Sequence, residues 1–226
     1  MKKNKKLVII GDSAFAEVAY ECFSRDSDYE VVGFSVESDY LKHDSLFGLP
    51  VVAFETIHEK FSPEQVDFFA AVAYTRLNRL RTRLYQAALV KGYRPASYIS
   101  SRAFVWPNAE IGEHCFIFED NTLQPFVKIG NNVILWSGNH IGHHSVIQEH
   151  CFIASQVVIS GFCTIGRYTF IGVNATVVNN LRIGEDNWIG PGVLLVRDTA
   201  PDQIFKIAQP PPAKIGARHF FKVGGD

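Results

Sequence analysis

The 226-residue chain is poor in cysteine, has a single methionine, and shows no excess of either charge. Its four cysteines, Cys22, Cys115, Cys151 and Cys163, form no CxxC pair and no disulfide framework. A net charge of −1 removes the basic footprint that a nucleic-acid binder needs. No apolar run reaches the length of a membrane-spanning helix. The start, MKKNKKLVIIGDSAF, lacks the long apolar stretch and small-residue cleavage site of a secretory signal, so the expected location is the cytoplasm. The GxGxxG dinucleotide fingerprint is also missing. Beyond residue 100, the periods of an amphipathic helix or an alternating strand are absent too.

That second half instead has a period of six. Val105, Ile111, Ile117, Leu123, Ile129, Leu135, Ile141 and Ile147 begin an unbroken aliphatic series that continues through Ile153, Ile159, Ile165, Ile171, Val177, Ile183 and Ile189 to Leu195. Two positions before each aliphatic comes a mostly small residue, among them Ala109, Cys115, Asn121, Asn139, Ser145, Cys151, Cys163 and Ala175. This pattern predicts a parallel β-helix of hexapeptide repeats, with three hexads to a triangular coil. Rungs stack at about 4.8 Å, the spacing of parallel strands. The small residues, three of the cysteines included, are expected to point into the narrow prism. Glycine directly after the aliphatic, as at Gly112, Gly142 and Gly166, is read as a turn that needs a permissive backbone.

Residues 1–100 lack the six-residue period. Short apolar strands are expected at Lys6–Ile10, Glu30–Val36 and Asp67–Ala73, with helices at Ala14–Phe23 and Arg76–Lys91. Strands alternating with helices imply a small parallel α/β sheet of the Rossmann-like kind. The expected organisation is an α/β domain over 1–100, a β-helix over 101–200 and a tail over 201–226. The loop after the first strand, Gly11-Asp12-Ser13, opens a helix where backbone N–H groups and the helix dipole favour an anion.

Four histidines fall close together: His140, His143, His144 and His150. On the hexad, His143 and His144 follow Ile141 by two and three positions, which turns them away from the prism axis at a corner. Eighteen residues beyond His143, one coil on, lies Gly161. An imidazole beneath a glycine N–H suits acyl transfer: the base removes a proton from the attacking group and the N–H steadies the oxyanion. Imidazole ordinarily titrates near neutral pH, as such a step requires. Surface solvation is the competing reading for His144 and His150. Metal binding is the competing role for the cluster, with His140 and His144 as its best pair.

The hexad run, the segment Ser137-Gly138-Asn139-His140-Ile141-Gly142-His143-His144-Ser145-Val146-Ile147, and Pro212-Ala213-Lys214 after the last coil together resemble the sugar acyltransferases of the left-handed β-helix superfamily. The resemblance is to the subgroup with a small N-terminal nucleotide-sugar domain, which includes bacillosamine, perosamine and sialic-acid acetyltransferase-like proteins. It implies a left-handed coil, which the spacing alone does not give. It also implies acetyl-CoA as co-substrate, a nucleotide-linked amino-deoxy sugar as acceptor, no metal, and a homotrimer with its site in the groove between prisms. By the same resemblance His143 is the catalytic base and Gly161 the oxyanion donor. His144 stands where the family has an orienting Asp or Glu. Phe152 stands where relatives have a histidine that contacts coenzyme A. Ser13 and Glu37 are expected at the sugar nucleotide. Arg76 and Arg79 open the second helix and are read first as a solvated helix face, with contact to the nucleotide's phosphates as the alternative. Asn139, His140 and Trp136 are expected to line the groove, and Phe170 and Trp188 to receive the cofactor. O-acylation of a sugar hydroxyl, or a non-catalytic or metal-binding trimer, are the alternatives.

Overall fold

The computed structural model describes residues 3–224. Its N-terminal part is a five-stranded sheet in the order β3-β4-β2-β1-β5. These strands are β1 (Lys5–Ile10), β2 (Tyr29–Val36), β3 (Ser45–Leu46), β4 (Leu49–Ala53) and β5 (Asp67–Ala70). All neighbours run parallel except the β3–β4 hairpin. Helices α1 (Ala14–Arg25), α2 (Ile57–Lys60) and α3 (Arg79–Val90) complete the domain. Parallel strands covered on both faces are apolar almost throughout, and Leu7 to Ile10 are buried accordingly. The hairpin and α2 were not anticipated from the sequence. Helix α3 starts later than expected, because Arg76, Leu77 and Asn78 all take left-handed backbone, with φ of 52°, 47° and 63°. Three such residues in a row cannot belong to a right-handed helix.

From Tyr98 onward two-residue strands wind round a triangular prism. The first face holds 104–105, 122–123, 140–141, 158–159, 176–177 and 194–195. The second holds 110–111, 128–129, 146–147, 164–165 and 182–183. The third runs from 98–99 through 116–117, 134–135, 152–153, 170–171 and 188–189 to 204–205. All neighbours are parallel, and the register advances by one coil, as in His140 opposite Thr122 and Val158. The helix therefore starts with Ile99, one hexad before the first aliphatic counted in the sequence, and Phe205 closes its last rung.

The aliphatics from Ile117 to Leu195 form one buried stack, and Cys115, Cys151, Cys163, Val127 and Ala175 fill the prism beside them. The three prism cysteines are free and buried, and serve as small hydrophobes.

The corners work differently from expectation. Left-handed φ occurs three places after the aliphatic, at residues such as Asn132, His144, Phe162 and Asn180. The glycines one place after the aliphatic have ordinary φ but no space. A Cβ on Gly142 would lie 2.5 Å from the Gly161 nitrogen, and one on Gly166 2.5 Å from the Glu185 nitrogen. Glycine there permits coil-to-coil approach and is not needed for turning.

The N-terminal domain sits on the third face. Phe15 and Phe69 each meet Phe116 with ring centroids 5.3 Å apart, in a core shared with Ile134, Phe152 and Phe170. A polar pin lies beside it. The Arg81 guanidinium is buried and donates to the carbonyls of Ala70, Asn132 and His114 at 3.0, 2.7 and 2.9 Å. Burial pulls it down to about 9, so it keeps its charge at neutral pH. His114 accepts the Ala70 N–H at Nε2 and contacts Asn132 Oδ1 through Nδ1 at 2.7 Å, which makes it a neutral imidazole. Burial and the adjacent Arg81 hold it well below the usual histidine range.

Candidate active site

His143 lies at the corner between the first and second faces. Its own N–H is capped by Gln124 Oε1 at 2.9 Å, from the coil before. In the coil after, Gly161 stacks on the imidazole: a Cβ there would be 2.9 Å from both Cε1 and Nε2. Gly142 occupies the position corresponding to Gln124, one coil on, and offers no side-chain acceptor. Among the described residues the Gly161 N–H accordingly donates to none, while its carbonyl accepts from Asn180 at 3.1 Å. An unused N–H next to a half-exposed imidazole is an arrangement that can hold a negative oxygen and take a proton at one place.

His144 is exposed and directly adjacent. Its Nδ1 lies 3.2 Å from Nδ1 of His143. Phe126 and Phe162 stack on its two sides, with centroids at 4.5 and 4.8 Å and planes within 29° and 16°. Phe162 also meets the His143 ring edge-on at 5.0 Å. Gln124, Phe126 and Phe162 were not singled out in the sequence, although 126, 144 and 162 are one coil apart and the same spacing would have found them.

Other expected site residues lie elsewhere. Asn139 is 1% exposed, with its amide donating to the Trp136 carbonyl and accepting from the Val157 N–H at 2.8 Å. It braces the inside of the prism, as its place among the small inward residues demands, and cannot meet a substrate. His140 is on the first face beside His143, turned outward because Ile141 points in. His150 is not a solvated surface residue. It stacks on Tyr168 at 4.7 Å and contacts Asn132 at 3.0 Å, and burial pushes it down to about 4.

Phe152, Phe170 and Trp188 form a stack on the third face, with centroids 5.7 and 5.8 Å apart. Tyr74 packs against the first two at 5.1 and 4.6 Å. Phe152 and Phe170 are buried in this domain contact, away from the corner that carries His143. With Ala73, Val173 and Pro191 the stack walls an apolar cavity of about 400 Å³.

Ser13 is exposed at the start of α1, its hydroxyl free of any capping bond. Glu37 forms a two-pronged pair with Arg83, at 2.7 Å to each oxygen, which holds its carboxyl below the usual range. Glu37, Tyr40, Thr75, Arg76, Arg79 and Arg83 surround a cavity of about 300 Å³. Arg79 is partly committed, since its guanidinium lies 3.2 Å over the Tyr168 ring and pairs with Asp186. Among the described residues no group of three His, Cys, Asp or Glu is placed to hold a metal.

Comparison with known proteins fits this geometry. The family described as "Bacterial transferase hexapeptide (six repeats)" matches residues 108–143, 126–161 and 144–179. The acetyltransferase domain of PglB from Neisseria gonorrhoeae FA1090 superposes with a TM-score of 0.79 at 25% identity, over 89% of this chain and 96% of that one. PerB from Caulobacter crescentus, solved in complex with CoA and GDP-perosamine, superposes with a TM-score of 0.77 at 25% identity, over 88% and 94%. A curated UDP-3-O-acylglucosamine N-acyltransferase of Methylorubrum extorquens is 30% identical over 132 residues, 46% of this chain and 38% of its own length. An acyl-carrier-protein-dependent UDP-N-acetylglucosamine O-acyltransferase of Campylobacter concisus is 26% identical over 98 residues, 40% of this chain and 37% of its own. The chain thus spans under two fifths of the length of these curated relatives.

Repeat and superposition define the class: a left-handed β-helix of hexapeptide repeats with a small sheet domain at its N-terminal end. Within that class the chain is similar over nearly its whole length to the acetyltransferase domain of PglB and to PerB, and its coils carry the repeat of the bacterial transferase hexapeptide family.

Proposed function

We propose that the protein is an acetyl-CoA-dependent N-acetyltransferase acting on a nucleotide-linked amino-deoxy sugar. The observation that carries this reading is the stacking of Gly161 on the His143 ring, with a Gly161 N–H that donates to no group among the described residues. The sugar amine attacks the thioester carbonyl carbon, and His143 Nε2 takes the proton the amine loses. The Gly161 N–H donates to the oxygen of the tetrahedral intermediate. The C–S bond then breaks, and the proton passes from His143 to the departing thiolate. Holding both reactants in line supplies much of the remaining acceleration.

PglB's domain and PerB, whose solved structures carry acetyl coenzyme A and CoA with GDP-perosamine respectively, support the choice of donor and acceptor class. The cavity ringed by Glu37, Arg76, Arg79 and Arg83 offers a diphosphate a basic wall and a hydroxyl a fixed carboxylate. It belongs to the domain on the third face, whereas His143 is at the opposite corner. A sugar held there reaches the imidazole of a neighbouring subunit, so the reading includes a homotrimer. The first face supports this assembly: Phe104, Val158 and Leu194 are exposed along it.

The test is thiol release from acetyl-CoA in the presence of amino and hydroxy sugar nucleotides. Turnover with an amino sugar, reduced on the order of 10²-fold or more in His143→Ala, is expected for a lost general base. Turnover restricted to hydroxy sugars, or unchanged in His143→Ala, refutes the reading.

A further inference from the structure

We propose that His144 is the positioning residue of this site: clamped between Phe126 and Phe162, it accepts a hydrogen bond from His143 Nδ1–H and leaves Nε2 of His143 bare for the acceptor's proton. The proposal rests on His143 being the base, as argued above. Only one of two facing Nδ1 atoms can donate across the 3.2 Å contact. A base that works through Nε2 must carry its own proton on Nδ1, so the acceptor is His144, with its proton on Nε2.

The clamp fixes the ring that fixes the base. His144 has φ of 59°, a left-handed value shared by the same position at each corner from His114 to Gly192, and this directs its side chain along the edge of the prism. There it lies in a column with Phe126 below and Phe162 above, both about half exposed. Stacked neighbours on each side leave the imidazole no other rotamer that keeps both contacts. Among the described residues the partners of the two rings are each other, the two phenylalanines and the Gly161 backbone. A neutral imidazole thus does here the orienting work for which a carboxylate is the common choice.

The position allows clean substitutions. Gly138 and Gly192 occupy the same corner place with φ of 74° and 70°, so His144→Gly removes the ring without backbone strain. Asn132, Asn174 and Asn180 also occupy it, so His144→Asn fits, and its Oδ1 falls where the imidazole Nδ1 was. In the acetyl-CoA assay, His144→Gly is expected to lower kcat roughly 10- to 100-fold, as loss of an orienting partner does. KM for both substrates is expected to stay within about threefold, because no ground-state contact is lost. His144→Asn, or added imidazole filling the slot between the phenylalanines of His144→Gly, restores kcat. His144→Asp moves the acid limb of the pH–rate profile to higher pH, since a carboxylate favours the protonated partner. Nitrogen-15 resonances of the imidazoles in the trimer without substrate give a readout independent of turnover. His143 is expected as the Nδ1–H tautomer in the native protein and as a tautomer mixture in His144→Gly. Wild-type kcat and pH profile in His144→Gly, or an unchanged His143 tautomer, overturns the proposal while leaving an inactive His143→Ala in place. Failure of the native protein to transfer acetyl overturns the reading of function, and the tautomer measurement then still decides this one.

Discussion

At the scale of single residues the proposed site rests on a missing methyl group. Gly161→Ala keeps the backbone N–H but places a Cβ within 2.9 Å of two His143 ring atoms. Phe162 meets the ring edge-on and His144 contacts its Nδ1, so the ring yields only by leaving its working orientation. Displacement of a reacting group by about 1 Å costs on the order of 10²-fold in rate. The expected result is a kcat reduced by that order with an unchanged melting temperature, read from thiol release and thermal unfolding. Equal kcat in Gly161→Ala would show that the ring does not need this place. The pair 143/161 was legible because a coil is eighteen residues and the arithmetic needs nothing else. Asn139 was not, because it belonged both to the inward series and to the segment around His143. Burial resolves that conflict: an amide in a prism this narrow has two backbone groups to satisfy and no route to solvent.

At the scale of elements the aliphatic series gave the coils away, and what it left dark was the junction between domains. Periodicity marks which side of a strand faces inward, but not what covers the outward side. Tyr98, Phe116, Phe152, Phe170 and Trp188 are outward residues of one face, and they were aromatic because the N-terminal domain packs on them. The corner column His114, Asn132, His150, Tyr168 meets α3 and its buried Arg81 in the same way. This column makes a pH prediction. Both histidines are held neutral in the folded chain, His150 with a value of about 4 and His114 well below its usual range, chiefly by burial. An unfolded histidine takes up its proton near 6.5. Between about 4 and 6.5 the unfolded state therefore binds more protons, and stability falls as pH falls through that window. Melting temperature is expected to drop from pH 7 to pH 4.5, and His150→Gln to flatten the part of that slope due to His150. A slope identical in His150→Gln would mean that His150 does not titrate between the two states.

At the scale of the molecule the three faces of the prism have different fates. The third is covered by the sheet domain. The second is charged, with Glu110 and Lys128 paired at 3.1 Å and Arg182 exposed along it. The first bears Phe104, Val158 and Leu194, and the corner beside it bears Trp106, Phe126 and Phe162, all of them exposed large hydrophobics. Apolar side chains at this face and corner, set among Thr122, His140 and Thr176, suit a partner, and in the proposed trimer a second and third copy of the same prism would supply one with closed symmetry. That packing would also bring the corner with His143 toward the basic cavity of the next subunit's N-terminal domain, which a single chain keeps apart. Val158→Glu with Leu194→Glu places two carboxylates on the first face without touching Gly161, His143 or the rings around His144. The doubly substituted protein is expected to elute as a monomer by light scattering, to keep its β-helix by circular dichroism, and to lose acetyl transfer. A monomer that retained full turnover would place both substrates on one chain, and the cross-subunit site would have to be abandoned.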